Sequence, residues 1–321
     1  MEALFFNSIF ENLKSRNIFV DTKTIQPFKH QGWMSSVFIA ESNIGKLVIH
    51  SANLVNEHKR NLVWEKFKGL APLLDLHQEI PTSNFCYIVV HEGNLILAQK
   101  FINGIPCGKR ILKQGVISDQ WTYDQIEIVK KVLNILADTH NITLKGFGWP
   151  ILNDEQLNGK YKTWQGFLAT ESVRWVETIN QTDQKLGSKP IKGLEKSINI
   201  LVKQINYAGP AVLAHGDAIN PSNILLKDNK EIALIDWEWS IAADPAWEFC
   251  DLGWWELVNR KKLSQYFETA KIVDEQEITN FLNRIKLYIP LWLLWGTHMH
   301  AEDISSEVYQ ALRLLLIQKI N

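Results

Sequence analysis

The segment from Ala211 to Glu238 limits the fold of this chain more than any other. An apolar run, Ala211-Val212-Leu213-Ala214, delivers Asp217 into a loop by way of His215 and Gly216. Beyond Ala218-Ile219-Asn220-Pro221-Ser222-Asn223 a second apolar run, Ile224-Leu225-Leu226, leads away. A polar turn at 227–231 reverses the chain, and a third apolar run ends on Asp236. That order reads as a hairpin holding two carboxylates and a carboxamide at neighbouring strand ends. Such a set suits a hard cation bound to a phosphate, because magnesium takes one or two protein carboxylates and fills its other positions with phosphate oxygens and water.

The rest of the chain is long enough to serve as a scaffold. Its 321 residues allow one large domain or two modest ones, and the 46% apolar and 21% charged content is ordinary for a soluble globular protein. A formal net charge of −1 gives no general pull toward nucleic acid or an anionic membrane, so neither is expected as a partner. Cys86, Cys107 and Cys250 have no paired spacing, which argues against a disulfide framework or a zinc site and fits a reducing compartment. Met1 to Phe6 lacks the features of a signal peptide, and the apolar window 287–295 is broken by Pro290 and too short to span a bilayer. A cytoplasmic location is the expectation.

Taken in order, the chain changes texture twice. Phe5, Ile9, Phe10 and Leu13 have helical spacing over 5–17. Strands are then expected at 37–40 and 46–50 around a turn at 42–45, followed by a helix from Asn53 to Leu74 that ends near Gly69 and Pro72. Two more strands, 85–91 and 94–101, run into Asn103-Gly104-Ile105-Pro106, where the β-rich part is expected to stop. Helical periodicity dominates afterwards. Thr122 to Gln125 has the spacing of a capping box before a helix carrying Ile128, Val129, Val132, Leu133 and Leu136. Residues 141–163 read as a loop, 164–179 and 191–205 as helices, and Asp244-Pro245 as the capped start of another helix with Glu248 in its first turn.

The ordered set His215-Gly216-Asp217, Pro221-Ser222-Asn223-Ile224-Leu225, Ile235-Asp236-Trp237-Glu238 and Asp244-Pro245-Ala246-Trp247 resembles the aminoglycoside phosphotransferase and choline kinase family, which has the protein-kinase-like fold. The resemblance covers nearly the whole chain. It implies an α+β, bilobal architecture: a small antiparallel-sheet N-lobe with one helix over 1–102, binding nucleotide, and a larger, mainly helical C-lobe over 103–321, carrying catalysis and the acceptor. It implies ATP and Mg2+ as cofactors, and transfer of the γ-phosphoryl group to a hydroxyl of a small-molecule acceptor. Asp217 would be catalytic, and Asn223 and Asp236 would hold the metal. His215 would support the loop through a backbone hydrogen bond, and Asp244 would tie it to the following helix. Gln99 and Phe101 would belong to the hinge, 97–101, whose backbone holds the adenine. Ser35 and Ser36 sit in a loop, 29–36, that either offers hydroxyls and N–H groups to phosphate or is an ordinary hairpin loop.

Two departures from the family pattern bear on the chemistry. The kinase pattern places its asparagine five residues after the aspartate; here that position is Ser222, so Asn223 implies a loop bulged by one residue. The strand that should end in lysine ends Val48-Ile49-His50. His50 can donate a hydrogen bond or be half-charged near neutral pH, but it is no fixed point charge. Lys46 lies toward the turn, and Lys59 or Lys66 from the helix would be the alternatives that reach in, with nothing in the sequence showing that either does. Glu57 or Glu65 would be the helix glutamate that usually pairs with the missing lysine, with Glu65 preferred.

The acceptor side is less determined. Trp237, Trp239, Trp247, Trp254, Trp255, Trp292 and Trp295 would cage a quaternary ammonium, stack on a sugar, or fill the core, and the core is the preferred reading. Glu238, Glu248, Asp251 and Glu256 would suit a cationic amino alcohol or aminoglycoside, or simply form a wet helix face. A small-molecule kinase is the leading expectation, and a nucleotide-binding pseudokinase the alternative. A protein kinase is disfavoured, because Asp236 runs straight to Asp244-Pro245 with no room for an activation segment.

Overall fold

Period-two burial builds the first part of the structure. In the strand Leu47–Asn53, Leu47 and Ile49 are fully buried while Val48 and His50 are only partly covered, as a pleated strand with one face on a core requires. The structure is a computed structural model, and it describes residues 10–11, 13–28, 36–53, 57–83, 85–91, 94–113, 116–255, 257, 259–301 and 307–320.

The chain forms two compact units. The first comprises Met1–Gly104 with Ile151–Leu157 and Lys227–Glu238; the second comprises Ile105–Pro150, Asn158–Leu226 and Trp239–Asn321. The chain therefore passes between units more than once, which a single cut at 102/103 does not describe. Asp236 belongs to the first unit, and Asp217 and Asn223 to the second.

The first unit is an antiparallel five-stranded sheet. Its strands are β1 (Val20–Pro27), β2 (Ser36–Ser42), β3 (Leu47–Asn53), β4 (Phe85–His91) and β5 (Asn94–Lys100), in the order β1-β2-β3-β5-β4. One face packs Ala40, Leu47, Ile49, Tyr87, Ile96 and Ala98 around Phe10, Leu13 and Ile18. Helix α1 (Glu57–Leu76) packs on β4 and β5. It continues through Pro72 to Leu76, two residues past the expected end at Leu74. Proline gives up one N–H bond there, yet Leu70, Ala71 and Leu74 are buried on either side, and that packing outweighs the missing bond.

The β-structure does not end at Pro106. Strand β6 (Ile105–Pro106) is followed by a hairpin of β7 (Gly108–Lys113) and β8 (Val116–Trp121), with Arg110 directly opposite Asp119. Helix α2 (Gln125–Thr139) is capped by Asp124, whose side chain accepts from the N–H groups of Ile126 and Glu127; Thr122 is not the cap. The expected loop 141–163 contains three short strands, β9 (Thr143–Leu144), β10 (Ile151–Asn153) and β11 (Gln156–Asn158). Helices α3 (Trp164–Lys185) and α4 (Leu194–Gln204) follow, then β12 (Ala211–Ala214), β13 (Ile224–Leu226), β14 (Ile232–Leu234) and β15 (Ile241–Ala243). Strand β12 lies between β15 and β9, and β13 pairs with β6. Helices α5 (Ser264–Thr269), α6 (Glu275–Met299) and α7 (Glu307–Ile320) complete the described chain. Among the described residues no helix is long and apolar enough to cross a membrane.

Candidate active site

Strand β12 is fully buried, and the turn that leaves it is fixed by its backbone. Gly216 has φ +86°, and a Cβ there would stand 2.4 Å from the Trp239 carbonyl oxygen, so only glycine fits. The N–H groups of His215 and Gly216 both donate to the buried Glu248 carboxylate, at 2.6 and 3.1 Å. Burial alone would raise the Glu248 pKa. The His140 imidazole 3.9 Å away, His215 and the Gly216 N–H together outweigh that and lower it. The Asp217 N–H then donates to His215 Nδ1 at 3.3 Å, giving this histidine the supporting role expected of it.

Asp217 is held from both sides. Its Oδ2 accepts from Asn220 Nδ2 at 3.0 Å and Asn223 Nδ2 at 2.9 Å, and its Oδ1 accepts from Arg110 Nη1 at 3.1 Å. Asn220 also caps the short 3-10 turn Pro221–Asn223, its Oδ1 accepting from the Ser222 N–H and hydroxyl. Both ends of the Asn220 amide are thus engaged within the loop. Asn223 turns its NH2 toward Asp217, which leaves its Oδ1 as the atom able to meet a cation.

Arg110 spends all five of its N–H donors on three carboxylates. Nε and Nη2 bond Asp119, Nη1 and Nη2 bond Asp251 at 3.0 and 2.8 Å, and Nη1 bonds Asp217. Burial would lower the guanidinium pKa, but Asp251, Asp217 and Asp119 outweigh it and hold it well above its ordinary value. This clamp was not anticipated. Its signal was a pair of opposite charges facing each other across a hairpin.

The first unit carries the other candidate groups. Asp236 lies past the end of β14 with φ +68°, a left-handed conformation that aspartate tolerates at some cost. Its side chain opens to solvent on one side; burial on the others pushes its carboxyl up to about 6, against the opposing pull of Lys66. Lys66, on α1, is buried, and its Nζ donates to the Glu238 carbonyl oxygen. Burial lowers its ammonium to about 8, while Glu238 and Asp236 work to raise it. His50 stands 3.1 Å from Gln99 Nε2, and burial pushes it down to about 4, so it is neutral at pH 7.

Several expectations need correcting. The backbone of 97–99 is paired to both β3 and β4, and the Phe101 N–H donates to the Lys46 carbonyl, so neither Gln99 nor the Phe101 N–H is free hinge backbone. Gln99 acts through its side chain, on His50. Glu65 is half-buried and makes no ion pair among the described residues; its neighbour Lys66 is the buried one. Lys46 pairs with Glu41 at 3.4 Å in solvent. Ser36 is an exposed residue at the start of β2, while Ser35, Glu256 and the side chains of Glu57 and Lys59 lie outside the described residues. Glu248 and Asp251 are 2% and 1% exposed and engaged by the loop and by Arg110, so neither is a free counter-charge for a cationic acceptor. Asp244 is buried; it caps Ala246 and accepts from Arg284 and Tyr288 of α6. Trp237, Trp247, Trp254, Trp292 and Trp295 are buried, in keeping with a core role, whereas Trp239 and Trp255 are half-buried.

No group of three or more His, Cys, Asp or Glu side chains able to hold a metal occurs among the described residues. Each unit offers one hard oxygen donor of the kind magnesium takes from protein, the open Asp236 carboxylate in the first and the Asn223 amide oxygen in the second.

Comparison with known proteins agrees with this architecture. Residues 118–254 match the family model of choline/ethanolamine kinase. No curated protein sequence matches the chain significantly. Among solved structures, the chain is similar to macrolide 2'-phosphotransferase MphH from Brachybacterium faecium, at 14% identity and TM-score 0.57, with 98% of each chain covered. It is similar to a thermostable mutant of aminoglycoside phosphotransferase APH(4)-Ia in ternary complex with ADP and hygromycin B, at 14% identity and TM-score 0.60, covering 98% of this chain and 97% of that one. A GDP complex of an aminoglycoside 2'-phosphotransferase IIIa mutant gives 12% identity and TM-score 0.62, over 98% and 96%. The fold is protein-kinase-like, and the resemblance to the choline kinase and aminoglycoside phosphotransferase family read from the sequence holds.

Proposed function

We propose that the chain is an ATP- and Mg2+-dependent phosphotransferase that phosphorylates a hydroxyl of a small molecule. The observation that carries this reading is the fixed Asp217 carboxylate, aligned by Gly216, Asn223 and Arg110 yet still 17% exposed to an incoming acceptor. ATP would supply the γ-phosphoryl group, and magnesium would neutralise charge on it. Asp217 would orient the acceptor hydroxyl and take its proton. Asn223 Oδ1 and the Asp236 carboxylate would hold the metal. Holding Asp217 in one orientation matters because positioning, rather than covalent chemistry, supplies most of the acceleration in phosphoryl transfer.

An amino alcohol, an aminoglycoside or a sugar-like compound is the acceptor class. Arg110 offsets only one of the three negative charges at Asp119, Asp217 and Asp251, and the net negative potential left at Asp217, rather than a direct ion pair to Asp251, favours a cationic acceptor. A catalytically weak, nucleotide-binding protein is the second reading, favoured by one observation: strand β3 presents a neutral His50 where the family has lysine.

The test is ATP turnover with Mg2+ against a panel of amino alcohols, sugars and aminoglycosides. Transfer that disappears in Asp217→Asn supports the enzyme. Nucleotide binding with no transfer to any acceptor supports the second reading.

A further inference from the structure

Burying a lysine is costly, and a buried ammonium needs a charge or acceptor to justify its place. Lys66 is 7% exposed. An ammonium has three N–H donors. The Glu238 carbonyl oxygen accounts for one, and among the described residues no ion pair within 4 Å takes up the others. The carboxylates of Glu238 and Asp236 are near enough to act on it electrostatically. Among the described residues Lys66 is thus a covered cation with one hydrogen bond made and two donors unspent, beside a carboxylate that suits a phosphate-bound metal. The position on β3 that would otherwise carry the cation is His50, bonded to Gln99.

We propose that Lys66 of helix α1 grips the nucleotide phosphates, the task that strand β3 leaves undone. The inference rests on the phosphotransferase reading above and adds to it the origin of the cation. It also accounts for the helix glutamate, Glu65, making no ion pair among the described residues. With His50 on the strand there is no lysine for Glu65 to position, and the neighbouring residue has become the buried charge. The Glu238 carbonyl would hold the lysine stem in register, leaving two N–H groups for phosphate oxygens.

Isothermal titration with ATP plus Mg2+ and, separately, with adenosine tests this without any acceptor. Lys66→Met is expected to weaken ATP binding by about 10- to 100-fold, the usual worth of a charge-assisted contact, and to leave adenosine binding within about twofold. Unchanged ATP affinity, or equal losses for ATP and adenosine, would overturn the assignment to Lys66 while leaving the phosphotransferase reading in place. If the wild-type protein binds no ATP, the reading itself falls and takes the assignment with it. A second measurement needs no variant. Acylation of Lys66 by acetic anhydride, followed by mass spectrometry, should be slowed by ATP and not by adenosine; equal protection by both, or by neither, counts against a phosphate contact.

Discussion

Gly216 and Asp217 set the tolerances of the loop at the scale of single residues. A methyl group at Gly216 would meet the Trp239 carbonyl while forcing alanine to φ +86°. Gly216→Ala is therefore expected to cost about 2 kcal/mol or more, seen as a lower urea midpoint. Its turnover should fall by more than the unfolded fraction explains, because the Glu248 hold on the His215 and Gly216 N–H groups would shift. Asp217→Asn should behave differently. Its shape is kept and Arg110 retains Asp119 and Asp251, so the stability change should stay within about 1–3 kcal/mol. Turnover should fall by about 10²- to 10⁴-fold, the usual contribution of a positioned proton acceptor, measured as phosphate transfer under saturating ATP.

The hairpin β7–β8 is the element that most changes the picture of the site, and Arg110 is its reason for being there. Removing the guanidinium in Arg110→Met would leave Asp119, Asp217 and Asp251 facing one another without a cation, a loss of about 3–5 kcal/mol. Crowded carboxylates without a cation bind protons more tightly folded than unfolded, so their contribution is regained as pH falls and lost as it rises. Urea midpoints should therefore bring Arg110→Met closer to wild type at pH 5 than at pH 8. Arg110→Lys should recover little, since a point charge cannot span three carboxylates. Why these groups were missed follows from the elements that carry them. Strands β2 to β5 were legible because apolar alternation and Gly or Asn turns mark them. The hairpin was not, because its runs are short and rich in Lys, Arg, Ser, Asp and Gln, and only the facing of Arg110 and Asp119 betrays it. Asp217 and Asn223 stood out in the sequence by their order in the loop, whereas the extra residue between them had no assigned position; Asn220, which caps the turn at Pro221–Asn223, lies in that interval. Lys66 was legible only as one of two helix lysines able to reach in, beside Lys59, although it shares a helical stripe with the buried Leu70 and Leu74, four and eight residues on. A charged residue on an apolar stripe reads as a register error until its partners at 236–238 are known, and those lie far away in sequence.

Across the molecule, acid stability is set by groups that oppose one another. His50 has a folded pKa of about 4 against an ordinary 6.5, so its contribution is complete above 6.5 and is lost as pH falls toward 4. Asp236 runs the other way: its folded pKa of about 6 exceeds the ordinary 3.8, so the folded state gains stability as pH falls through the same window. The two shifts are similar in size and opposite in sign. Lys66 is silent in that range, since its change lies between 10.5 and about 8. Urea midpoints of the protein without nucleotide or metal should therefore be nearly flat between pH 6.5 and 5, and fall below about 4.5 as Glu248, whose folded pKa is lowered, becomes protonated and releases the His215–Gly216 turn. Asp236→Asn removes the acid-side gain, so its midpoint should decline steadily through the window where wild type is flat. His50→Gln removes the acid-side loss, and its midpoint should rise on acidification before the common fall. Parallel profiles for all three proteins would mean that neither group titrates far from its ordinary value. Magnesium with ATP gives a further comparison, because a cation on Asp236 keeps the carboxylate ionised and withdraws its acid-side gain. The liganded wild type should then lose stability with the slope of unliganded Asp236→Asn, from a higher starting midpoint.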